Sequence, residues 1–125
     1  MKITLPSVLL AVVLASPVLA GGIISDPVLR DPLVVARAAD VLRKGCPAYG
    51  VNMLEAFSAM RSHQKLALAR GMTRAQIKAA LDKGEARSDI YARADALVAR
   101  LPGDACAKAD LLVSRYPLAA RLISR

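Results

Sequence analysis

The sequence predicts an all-α fold: a small bundle of about five helices, tied by one disulfide and preceded by a signal peptide. Three observations carry that expectation. From residue 32 onward the apolar residues recur at helical spacing, and no segment alternates with period two for long enough to argue a strand. Alanine, the best helix former, is abundant throughout. Two cysteines, Cys46 and Cys106, stand in a chain whose first twenty residues read as an export leader, and oxidising compartments drive thiols to pair.

The leader comes first. Met1-Lys2 gives a short positive start, Leu5 to Leu19 is an almost unbroken apolar stretch, and Val18-Leu19-Ala20 is a small-x-small cleavage pattern. That stretch contains Pro6 and Pro17 and is shorter than the ~20 residues a membrane span needs, so it reads as a cleaved signal rather than an anchor. The expected address is periplasmic or secreted. Cleavage after Ala20 leaves 105 of the 125 residues, enough for one thin core and for no second domain.

Residues 21–31 carry two glycines and Pro27 without helical periodicity, and read as a flexible or extended lead-in. The helical domain, residues 32–125, opens on Asp31-Pro32, an N-cap followed by proline at the first helical position. This first helix places Val34, Ala38, Val41 and Leu42 on one face and ends at Lys44-Gly45, a cation followed by a left-handed stop. A second helix runs from Val51 or Asn52 to Arg70. Winding it groups Met53, Leu54, Phe57, Met60, Gln64 and Leu68 into one stripe, with Glu55, Ser62 and Lys65 outside it, so it is expected to be the central core helix. Gly71 terminates it.

Thr73-Arg74-Ala75-Gln76 has the form of a capping box and starts a short third helix with Ile77, Ala80 and Leu81 on its apolar face. Lys83-Gly84 ends it. Ile90, Ala94, Leu97, Val98 and Leu101 give the fourth helix its face, and Pro102-Gly103 breaks the chain. Asp104 caps a fifth helix in which Ala109 and Leu112 align and Cys106 falls in the first turn. Tyr116-Pro117 interrupts it, because the residue before proline is pushed out of the α region, and a last short helix presents Leu118, Leu122 and Ile123.

The two cysteines are expected to form a structural disulfide. A redox-active pair would use the close Cys-x-x-Cys spacing that lets neighbouring thiols tune each other. Closing a loop of sixty positions stabilises a fold by ~4 kcal/mol in the chain-entropy model. The bridge then joins the turn after the first helix to the start of the fifth.

Arg43-Lys44-Gly45-Cys46-Pro47, then Met53, Ala56 and Met60 on a helix ending at Gly71, then Thr73-Arg74-Ala75-Gln76-Ile77 and a late Cys106 together resemble the proteobacterial family called domain of unknown function 5333. The likeness spans roughly residues 33–125 and rests on spacing rather than on any single specific motif. It implies a small exported helical protein with two cysteines, and no catalytic residue to carry over.

The residue inventory argues against an enzyme. The chain holds one histidine, two glutamates, one phenylalanine and no tryptophan. His63 is the only group whose ordinary pKa lies near neutrality, and it sits at the edge of a helical stripe with no evident partner. The serines lack a nucleophile elbow, and the lysines lack a glycine-rich phosphate loop. Asp89 and Asp95 fall nearly opposite each other on a helix, and Asp89 is expected to pair with Arg93. Two distant cysteines and one histidine make no metal site, and no cofactor motif is present, so neither a metal nor a cofactor is expected.

Charge is the remaining signal. Without Lys2 the chain carries 17 basic and 10 acidic residues, a formal +7. Arg61, Lys65, Arg70, Arg74 and Lys78 crowd the second and third helices as a candidate anion-binding face, or as a solvated face that keeps an alanine-rich protein soluble. Gly71 to Leu81 has a faint helix-turn-helix look, but export excludes nucleic acid as the expected partner. The sequence therefore points to a non-catalytic periplasmic interaction module that binds another envelope protein. The alternative is a basic peripheral binder of envelope lipid or polysaccharide surfaces.

Overall fold

The computed structural model describes residues 22–82 and 84–125, so the leader expected over residues 1–20 lies outside the described residues. After a helical turn at residues 22–25, the chain forms helix α1 (Pro27–Gly45), strand β1 (Gly50–Val51), α2 (Met53–Ala69), α3 (Arg74–Asp82), α4 (Glu85–Arg100), α5 (Ala105–Arg115), α6 (Pro117–Leu122) and strand β2 (Ile123–Ser124). The all-α class holds.

Helix α1 starts earlier than the sequence suggested. Asp-Pro occurs twice, five residues apart, and the first pair is the one used: Asp26 is the N-cap, its Oδ1 accepting from the Val28 N–H at 3.0 Å, with Pro27 in the first turn. Asp31 instead accepts from Arg30 Nε at 3.0 Å, and Pro32 lies inside the helix. The expected extended lead-in over 21–31 is therefore replaced, in its described part, by helix. The reason is burial: Ile23 and Leu29 are 2% and 1% exposed, and withdrawing two large aliphatic side chains from water outweighs the local glycine and proline signals.

The centre of the molecule is α1, not α2. Leu29, Val34, Val35, Ala38, Ala39 and Leu42 are all buried on it, and α4, α5 and α6 pack around it. The alanines are part of the mechanism. Ala38, Ala94, Ala109 and Ala119 are fully buried, and such small residues let backbones come close enough for Ile90, Leu97, Leu112 and Leu122 to fill the remaining space.

Gly45 is not the left-handed stop expected of it: it is the last helical residue of α1, the chain leaves the helix at Cys46 in extended backbone, and the glycine instead allows a close approach in which a Cβ would stand 3.0 Å from that of Ala105. The other expected stops and caps are present. Asp104 accepts from the Ala107 N–H at 2.9 Å, and Thr73 and Gln76 exchange side chain-to-backbone bonds of 2.8 and 3.1 Å. Gly103 turns the chain with φ near +92°, where a Cβ would stand 2.7 Å from that of Ala107. Lys108 Nζ donates to the carbonyls of Val98, at 2.7 Å, and Leu101, closing the end of α4. Asp89 accepts from Arg93 at 2.8 Å, as its spacing predicts.

Cys46, fully buried at the end of α1, is disulfide-bonded to Cys106 in the first turn of α5, with Cα atoms 5.0 Å apart. A two-stranded antiparallel ribbon was not foreseen. Gly50 pairs with Ser124 and Val51 with Ile123, segments too short to show any period in the sequence. The ribbon fastens the C-terminus to the start of α2, helped by Asn52, whose N–H and Nδ2 donate to the carbonyls of Leu122 and Arg121, each at 2.8 Å.

Candidate functional site

Helix α2 is the exception to this packing. Only Ala67 is buried along its 17 residues, whereas Met53, Leu54, Phe57 and Met60 are 57%, 86%, 50% and 58% exposed. Most of the stripe expected to form the core thus points away from it; of its members only Leu68, half-buried, packs against the core. A second stripe explains why: Ala56, Ala59, His63 and Ala67 follow the same helical period about a quarter-turn away, and its three alanines pack against the core. His63 contributes to the seating, its Nε2 lying 2.8 Å from the Leu29 carbonyl. Because a carbonyl only accepts, Nε2 carries the proton in this contact, and the ring serves as a strut between α2 and α1.

Small side chains facing inward leave a groove of about 660 Å³ between α1, α2 and α6. Helix α1 contributes Leu33, Ala36 and Ala39; α2 contributes Ala56, Ala59, Met60 and Leu66; the C-terminal segment contributes Leu118, Leu122 and Ile123. Asp40, Arg43, Ser62, His63, Gln64 and Arg121 are its polar lining. Arg43 is paired with Asp40 at 2.8 Å and Arg121 with Glu55 at 2.9 Å, so each of these cations is balanced by a carboxylate. The groove is aliphatic over most of its lining, and His63 carries the one aromatic ring among its lining residues. It can take up hydrocarbon. Ser62 and His63 also line it, and no hydrogen bond joins the two among the described residues.

The five cations of the candidate anion-binding face are divided. Arg70 holds the Asp26 carboxylate through Nε and, at 3.2 Å, through Nη2, clamping the end of α2 onto the start of α1. This contact keeps the Asp26 carboxyl below its ordinary range, partly opposed by burial. Lys78 is paired with Asp82 at 3.0 Å. Arg61, Lys65 and Arg74 are exposed and form no ion pair among the described residues. Among the described residues no three of His, Cys, Asp or Glu come together as a metal site, and no helix is long and apolar enough to cross a membrane.

The groove was missed in the sequence because the larger stripe of α2 was assigned to the core. The signal that could have found it is the coexistence on one helix of a large-residue stripe and a small-residue stripe, which cannot both face the same neighbour.

The model of a family of unknown function (DUF5333) matches residues 22–111. The chain belongs to this family. The match runs from the turn before α1 through most of α5 and includes both cysteines; α6 and β2, which form one wall of the groove, lie beyond it. No curated protein and no solved structure matches the chain.

Proposed function

We propose that this member of DUF5333 is an exported, non-catalytic binding module whose groove between α1, α2 and α6 receives an apolar guest. One observation carries the reading. Of the seven large apolar side chains exposed among the described residues, five lie on α2 and a sixth, Leu81, lines the same groove. Concentrated apolar exposure beside a concave aliphatic surface is what a binding site requires, while scattered exposure would call for no explanation. Export is supported by the apolar leader and by a buried cystine, which persists in an oxidising compartment. The absence of catalysis is supported by a single histidine whose ring is used in holding two helices together.

Titration with the neutral fluorophore N-phenyl-1-naphthylamine tests the site. Saturable binding with blue-shifted emission is expected, and Ala59→Phe, which fills the groove, should abolish it while the chain stays folded by circular dichroism. Absence of binding, or binding indifferent to Ala59→Phe, would remove the groove as the site. Recovery of the chain in the osmotic-shock fraction, beginning at Gly21 and resistant to thiol alkylation, tests export separately.

A further inference from the structure

The groove accounts for only one side of α2. On the opposite flank Met53, Phe57, Arg61 and Lys65 follow at four-residue steps, a ladder whose first half is apolar and whose second half is cationic. We propose that this flank lies against an anionic phospholipid surface and that the groove behind it accommodates one acyl chain of such a lipid. The inference rests on the groove being a binding site and names its guest.

Three features favour lipid. The first is the chemistry of the groove. Its lining is mostly aliphatic; of its polar members Asp40 and Arg43 pair with each other, Arg121 with Glu55, and His63 with the Leu29 carbonyl, and the one buried side-chain polar atom without a partner among the described residues, Arg37 Nε, lies elsewhere. A hydrocarbon chain needs no hydrogen bonds, whereas a polar metabolite would forfeit its own on entering. The α1 wall from Pro32 to Arg43 extends ~16 Å at the helical rise, the shape of a slot rather than a round pocket.

The second feature is charge. The acids close to α2 are committed internally, Glu55 to Arg121, Asp26 to Arg70 and Asp82 to Lys78, so Arg61, Lys65 and Arg74 act outward as uncompensated cations. The whole chain carries +8. An anionic surface attracts such a face, and a second copy of the same chain is repelled by it.

The third is shape. The flank is the convex side of a helix, and fluid lipid conforms to a convex apolar ridge with a cationic border, which is how interfacial helices lie on membranes without crossing them. Leu54, at 86% exposure, stands where such a ridge would enter the headgroup layer.

Co-sedimentation of the protein, purified from the cells that make it, with phosphatidylglycerol–phosphatidylcholine vesicles and with pure phosphatidylcholine vesicles tests the flank. Native mass spectrometry for one retained phospholipid tests the groove. Binding only to the anionic vesicles, abolished by high salt, is expected. Arg61→Gln with Lys65→Gln should weaken it about thirtyfold, at roughly fivefold per cation removed. Ala59→Phe should keep vesicle binding yet retain no lipid. If vesicles are ignored and no lipid is retained while N-phenyl-1-naphthylamine still binds, the lipid inference falls and the groove reading stands; if the fluorophore also fails, both fall. Equal lipid retention by Ala59→Phe would overturn the acyl-chain assignment. Loss of a homodimer, or of a stoichiometric complex with an acidic protein, on Phe57→Ser would assign the flank to a protein partner and overturn the membrane assignment.

Discussion

Helices α1 and α2 are similar in length, 19 and 17 residues, yet α1 buries six residues and α2 buries one. Helix α2 is not the more polar of the two. It carries two methionines, a phenylalanine and three leucines, and exposes most of them. The difference lies in where the small residues fall. Ala38 and Ala39 sit within the apolar stripe of α1, so α4, α5 and α6 can approach its backbone while Val34, Val35 and Leu42 fill the gaps. On α2 the alanines form their own stripe, and the helix rests on that stripe with its large side chains turned outward. A helix is held by what faces its neighbours, and total apolar content does not decide it.

The comparison can be broken most forcefully at the bridge between α1 and α5. Replacing Cys46 and Cys106 by alanine should destabilise the protein by ~4 kcal/mol, read as a lower urea midpoint, because a long loop is released in the unfolded chain. A similar loss from reducing agent alone should appear in the unmodified protein. Somewhat smaller is the expected effect of Leu112→Ala on the α1 side of the molecule, about 3 kcal/mol for a fully buried leucine. The matching change on α2, Leu54→Ala, should stay within about 0.5 kcal/mol. Equal costs for these two leucines would mean that α2 is packed in solution as tightly as α1.

Thr73→Ala sharpens the contrast at an intermediate scale. It removes one half of the capping box and should cost about 1 kcal/mol, seen as a lowered melting temperature. Arg70→Ala releases the clamp on Asp26 and should speed hydrogen exchange at the C-terminal end of α2 while leaving the α1 amides from Val34 to Leu42 protected.

The smallest effect expected is that of pH. Arg70 holds the Asp26 carboxyl down; burial raises that of Asp40, but Lys44 and Arg43 together outweigh it; and Arg125, then Tyr49, hold down that of Asp110. All three lie below the ordinary value of 3.8, so below that value the unfolded chain binds more protons than the folded one. The stability these carboxylates supply is present at neutral pH and lost as pH falls through their depressed values. Thermal melts should be level from neutrality to about pH 5 and decline below about pH 4. A decline already visible near pH 6 would mean that these three carboxylates are not the groups responsible.

Much of this molecule was legible in its residues. The stops at Gly71 and Gly103, the caps at Thr73 and Asp104, the break at Tyr116-Pro117 and the pairing of Cys46 with Cys106 all follow from local chemistry, because each is decided within a few residues or by the scarcity of a residue type. Three features were not legible. The choice of Asp26 over Asp31 as the first cap depended on Ile23 and Leu29 finding a buried place. The β1–β2 ribbon depended on two dipeptides more than seventy positions apart meeting. The orientation of α2 depended on which of two equally periodic stripes met the core. The sequence by itself determined the helices and the covalent tie, since propensity, capping and thiol chemistry act locally. The tertiary structure alone decided which helix became the core and which face became the site, since burial is a competition among all faces for the same limited interior.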